Sequence, residues 1–123
     1  MIDIVAKENE IVTALELFAE GDNQFLVELI QLYLRAVPDA VTEIHSSLCA
    51  TDVLAVRRHI HSLAGSSGNL GTYVGLECCR RMTMAAHQGD LTRVQKELAA
   101  FEREYQTVQQ ILTMLLDRYS HAA

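Results

Sequence analysis

The sequence predicts an all-α fold: an antiparallel up-down four-helix bundle with a short extra N-terminal helix, in one domain spanning residues 1–123. Three observations predict it. Helix breakers are scarce, with one Pro and six Gly in the whole chain. Apolar residues recur at steps of three and four along four long stretches, the period of a helix that buries one stripe. Short turn-forming segments join these stretches, so neighbouring helices run antiparallel. With 123 residues, 50% of them apolar, the chain can bury a core without disulfide or metal staples.

Ile11 to Glu20 is a short amphipathic piece expected to cap one end of the bundle. Gly21-Asp22 is a turn pair, and Asn23 is the expected N-cap of the next helix. There Leu26, Ile30, Tyr33, Val37, Val41, Ile44 and Leu48 point inward, and Pro38 is expected to bend the helix. Thr51-Asp52 offers the following N-cap, before Val53, Val56, Ile60, Leu63, Ser67 and Leu70. Gly65, Gly68 and Gly71 should break or end that helix around Ser67 to Gly71. The fourth helix turns Val74, Cys78, Met82 and Ala85 or Ala86 inward and ends at Gly89. Asp90 caps the last helix, where Leu91, Val94, Leu98, Phe101, Tyr105, Val108, Leu112, Leu115 and Tyr119 keep the period without a slip. The glycine turns at Gly21, Gly65 to Gly71 and Gly89 argue against one continuous coiled coil.

Composition excludes several function classes. Sixteen acidic residues against ten basic ones give a net charge of −6, a poor surface for nucleic acid. Three cysteines, Cys49, Cys78 and Cys79, make an odd count without CxxC spacing; reduced thiols in a cytoplasmic protein are expected, with Cys78 and Cys79 on different helix faces. The first residues lack a basic segment followed by a long apolar one, and no stretch approaches the roughly 18 apolar residues of a membrane span. Met1 followed by a plausible first helix favours a free-standing protein. The helical wheels show no clear apolar seam for self-association, so a monomer is expected.

The chemistry concentrates in Arg57 to Gly71. On a helical wheel His61 points about 130° away from the buried direction and Gly65 about 170° away, while His59 lies about 70° off it. His61 is therefore the solvent-facing imidazole and His59 the more buried one. Gly65 follows His61 by one turn on nearly the same face, and costs about 1 kcal/mol of helix stability relative to Ala. Ala64 is also small. Open surface around an imidazole lets another protein approach it closely. An exposed imidazole keeps a neutral fraction near neutral pH, so a ring nitrogen is available as a nucleophile towards an activated phosphoryl group.

The stretch His61-Ser62-Leu63-Ala64-Gly65-Ser66-Ser67-Gly68-Asn69-Leu70-Gly71 closely resembles the phosphoacceptor motif of the histidine-containing phosphotransfer (HPt) domains of bacterial multistep phosphorelays. That pattern reads roughly His-x-Leu-Lys-Gly-Ser-(Ser or Ala)-x-x-(Leu or Ile)-Gly. The resemblance extends to the long preceding helix, the Cys79-Arg80-Arg81-Met82 helix and the Gly89-Asp90 turn. It implies a relay intermediate in two-component signal transduction, with His61 as phosphoacceptor between receiver-domain aspartates. The implied partners are a response-regulator receiver domain and a hybrid sensor histidine kinase. The receiver would supply the acidic pocket, the lysine and Mg2+, so this chain would need no cofactor and would be a carrier rather than an enzyme. Gly65 would give the receiver access. Ser66, Ser67 and Asn69 would orient the imidazole or the helix end, with Gly68 ending the helix. Arg57 and Arg58, with Arg80 and Arg81, would meet an acidic receiver surface.

Ala64 departs from the family pattern, which places Lys there beside the phosphate. Arg57, one turn before His61, is the expected substitute. The alternative is an HPt-like docking module that binds a receiver or kinase without efficient transfer. Read blandly, His59 packs at the helix boundary, and His45, His87 and His121 are ordinary surface residues. The glycines form no P-loop, since no Gly-Lys-Ser/Thr follows. No metal site is expected: His59 and His61 diverge at i, i+2, and His45 with Cys49 lacks further ligands.

Overall fold

The computed structural model describes residues 4–70 and 72–121, with residues 67–70 as backbone only. The described chain forms five helices: α1 (Ile4–Ala19), α2 (Asn23–Cys49), α3 (Val53–Leu70), α4 (Tyr73–His87) and α5 (Leu91–Ser120). Among the described residues no helix is long and apolar enough to cross a membrane.

Each boundary has a local cause. Asp22 caps α2 from extended backbone, its carboxylate accepting from the Phe25 amide, so Asn23 is the first helical residue and not the cap. Both residue types can cap, and the one that follows Gly21 at φ 88° holds the extended conformation. Asp52 accepts from Ala55 N at 3.1 Å, Thr72 from Gly75 N at 3.2 Å, and Asp90 from Arg93 N at 3.1 Å. Gly89, at φ 71°, turns the chain from α4 into α5. The α3 backbone passes through Gly65 and Gly68 without a break and stops at Leu70.

The helices α2, α3, α4 and α5 pack as a closed ring, each against the next and α5 back on α2. Cross-helix pairs set an antiparallel register: Glu43 with His59 between α2 and α3, Arg57 with His87 between α3 and α4, His45 with Glu102 between α2 and α5. With 27 and 30 residues, α2 and α5 outrun α3 and α4, which have 18 and 15. The helix α1 packs on α2, α5 and α3, burying Ile11, Leu15 and Ala19. It begins at Ile4 rather than near Ile11, because polar contacts and not an apolar stripe hold its first turns. Lys7 Nζ meets Glu104 Oε1 at 2.6 Å and Glu8 meets Arg118 at 3.5 Å.

All seven inward positions expected of α2 are buried, as are Val56, Ile60 and Leu63 of α3. On α4 the buried stripe runs through Gly75, Cys78, Cys79, Met82, Ala85 and Ala86. Val74 was expected inside but is 46% exposed, because it stands at the edge of that stripe in the first helical turn. Cys78 and Cys79 are both buried, since a wide stripe takes in neighbours about 100° apart. Burial pushes the Cys78 thiol up from its ordinary value, which makes it a poor nucleophile. The inward placement expected of Ser67 and Leu70 falls outside the described side chains, and Gly71 lies outside the described residues.

Tyr105 is the one polar misfit of this core among the described residues. Its ring stacks on Phe101 at 6.2 Å and tilts against Tyr33 at 6.2 Å, but its buried hydroxyl has no hydrogen-bond partner there. Burial alone pushes the phenol up to about 12. Tyr105→Phe is expected to raise stability by about 1 kcal/mol, because it deletes an unsatisfied polar atom and keeps the packing. A higher urea midpoint with unchanged slope is the expected readout. A lower one would show that the hydroxyl is bonded in solution.

Candidate functional site

Residues from α3 and α4 build a groove of about 320 Å3 on the surface of the ring. Arg57, Arg58, Ile60, His61 and Ala64 form the α3 wall, and Thr83, Ala86 and His87 form the α4 wall. Two requirements place them. The core stripe Val56, Ile60 and Leu63 turns His61 outward, and the antiparallel register brings His87 level with Arg57. No carboxylate lines the groove among the described residues, although the chain carries a net charge of −6. Two guanidinium groups and two imidazoles give it the composition of an anion site, while the Thr83 hydroxyl donates to the Cys79 carbonyl at 2.9 Å.

His61 is exposed, as the helical wheel predicts, and neither ring nitrogen has a protein partner among the described residues. Gly65 is exposed one turn further on, and a Cβ built there meets no atom within 4 Å. Packing therefore does not require glycine at this position. Gly65→Ala is expected to stabilise the fold by about 0.5–1 kcal/mol through helix propensity, seen as a higher melting temperature by circular dichroism. Ala64 is half-buried and packs against the core at the floor of the groove. Ser66 is half-buried, and the side chains of Gly68 and Asn69 fall outside the described set.

The arginines divide into two groups. Arg57 and Arg58 line the groove, while Arg80 and Arg81 line a separate cavity with Arg93 near the α4–α5 turn. Arg80 donates to both Glu77 oxygens, at 3.0 Å in its shortest contact, and this hydrogen bond holds the Glu77 carboxyl below its ordinary value. Arg57 instead reaches across the groove, its Nη2 lying 2.7 Å from His87 Nδ1. Arginine can only donate, so His87 Nδ1 accepts and the ring is neutral in this arrangement.

His87 is the residue that the sequence pattern passes over. Taken alone it is a surface histidine at a helix end; only the pairing of α3 with α4 brings it into the groove that His61 lines. That signal was present in the spacing, because pairing α3 antiparallel with α4 sets position 57 opposite 87. A second addition is Leu54, 71% exposed and two turns before His61 on α3, which gives that face an apolar member. The other histidines stand apart. His59 is half-buried, 3.7 Å from Glu43, and His45 lies 3.2 Å from Glu102. No group of three or more metal-ligating side chains is assembled among the described residues.

A family model described as Hpt domain matches residues 28–111, which takes in the groove and its helices from α2 to most of α5. Among solved structures the chain is similar to the crystal structure of histidine-containing phosphotransfer protein B (HptB) from Pseudomonas aeruginosa PAO1. The two share 24% identity and superpose with a TM-score of 0.81, over 87% of this chain and 93% of that one. No curated protein matches the chain in sequence.

Proposed function

The chain belongs to the Hpt domain family, and from that premise we propose that it is a phosphorelay intermediate whose phosphoacceptor is His61. The observation that carries this reading is the exposed imidazole at the edge of a basic groove, with no partner for the ring and no carboxylate in the lining among the described residues. A neutral ring nitrogen of His61 attacks the phosphorus of an aspartyl phosphate on a receiver domain. The N–P bond forms as the P–O bond to the aspartate breaks, the carboxylate leaves with the electron pair, and the imidazole loses its N–H proton to water. The reverse sequence loads the aspartate of a second receiver. Gly65 keeps the approach to the ring open, and Leu54 with Arg58 extends the docking face along α3. Arg57 stands in for the absent lysine at Ala64, its guanidinium meeting the charge of the bound phosphoryl group. The receiver brings Mg2+ and the acidic pocket, so the chain acts as a carrier, as a monomer, in the cytoplasm with a receiver and a hybrid histidine kinase as partners.

Ala64 in place of lysine favours a second reading, a module that docks on a receiver or kinase without efficient transfer. Incubation with a phosphorylated receiver separates the two. Acid-labile, base-stable label on this chain supports the carrier. Binding without label, with the donor shown competent towards another HPt domain, makes it a docking module.

A further inference from the structure

We propose that His87 is a positioning residue for this site: its neutral Nδ1 holds the Arg57 guanidinium in the groove beside His61. The inference rests on the carrier reading and adds a residue to it. Arg57 is an exposed side chain with many rotamers, and left alone it would spend little time beside the phosphoryl position. The 2.7 Å contact to His87 fixes it across the groove, a short charge-assisted bond between two helices. Ala64 leaves the floor of the groove open beneath it. The Hpt-pattern lysine would have carried its charge on α3 alone; here the cation on α3 takes its direction from α4.

This hold is conditional on protonation. A doubly protonated imidazole has no acceptor, so the contact exists only while His87 is neutral. The charged and titratable groups that line the groove with it are Arg57, Arg58 and His61 from α3, and Thr83 is the polar neighbour on α4; none of the lining residues comes from α2 or α5. No carboxylate is present among these to replace Arg57 as partner when His87 takes a proton. Once His87 takes a proton, it and Arg57 are two like charges and the guanidinium is released.

The test loads His61 with phosphoramidate, a small-molecule donor, and follows the lifetime of the phosphohistidine as water breaks its N–P bond and releases inorganic phosphate. At pH 8 Arg57→Ala and His87→Ala are each expected to shorten that lifetime by about threefold, the size an exposed charge contact supports. The double variant is expected to lose no more than either single one. The ratio of wild-type to Arg57→Ala lifetimes should fall towards one in acid. His87→Asn, whose amide oxygen takes the place of Nδ1 and does not titrate, should keep the long lifetime and hold that ratio constant. A normal lifetime in His87→Ala, additive losses in the double variant, or a ratio independent of pH would each overturn the proposal. Phosphoramidate bypasses the receiver, so a chain that accepts this label yet takes none from a receiver would sink the carrier reading alone. A wild-type chain that phosphoramidate leaves unlabelled would sink both.

Discussion

A His61→Gln variant is expected to take no acid-labile label from a phosphorylated receiver while unfolding at the same urea concentration as the wild type. Both halves follow from where the ring stands. His61 is exposed and unpartnered among the described residues, so its replacement removes no buried area and orphans no hydrogen bond. Glutamine has the bulk and polarity of the imidazole but no nucleophilic nitrogen. The other four histidines offer no substitute: His87 gives its Nδ1 to Arg57, His59 is half-buried against Glu43, His45 faces Glu102, and His121 lies 3.9 Å from Asp117 at the end of α5. The label should therefore fall to background, not to a fraction. Label persisting on His61→Gln would move the acceptor elsewhere, with His87 the first position to examine.

The second large effect is structural. Glu104→Ala is expected to lower stability by about 3 kcal/mol, read as a shift of the urea midpoint. Its carboxylate takes Lys7 Nζ at 2.6 and 2.7 Å and also accepts from the Thr72 hydroxyl. The Lys7 and Glu104 side chains are only 13% and 9% exposed, so alanine at 104 strands a cation with little access to water. Removing one partner of such a pair costs far more than the pair contributes net. Lys7→Met should cost a comparable amount, because it strands the Glu104 carboxylate with only the Thr72 hydroxyl as partner. Glu8 with Arg118, at 3.5 Å and with the arginine side chain 56% exposed, sets the contrast: Arg118→Ala should change stability by less than about 1 kcal/mol. Equal losses at positions 104 and 118 would remove the special place of Glu104.

The helices of the ring were legible because burial is a repeating demand. Ile30, Val37, Ile44, Leu98 and Leu112 recur at helical steps, and all are 0% exposed. The same wheel placed His61 outside and His59 at the boundary. Where the sequence misled, a long-range contact had replaced the apolar period. The first turns of α1 carry no stripe; Lys7 and Glu8 hold them to partners about a hundred residues away in sequence. Val74 kept the spacing yet lies outside, since the first turn of α4 presents Gly75 to Phe101 instead. The site was half legible for the same reason. Everything on α3 could be read along one helix, whereas His87 and Thr83 enter the groove only through the register between two.

Thr72 joins these levels with a single oxygen. Its hydroxyl donates to Glu104 on α5 and accepts from the Gly75 amide at the start of α4, while Glu104 is itself clasped by Lys7 of α1. Three helices are thereby joined through the Thr72 hydroxyl and the Glu104 carboxylate, and none of them can fray at that point without breaking these bonds. The N-terminal helix is accordingly a cooperative part of the bundle and not a detachable lid. A lysine at the start of the chain thus helps to anchor the first turn of α4, the helix whose last turns carry Thr83, Ala86 and His87 into the groove.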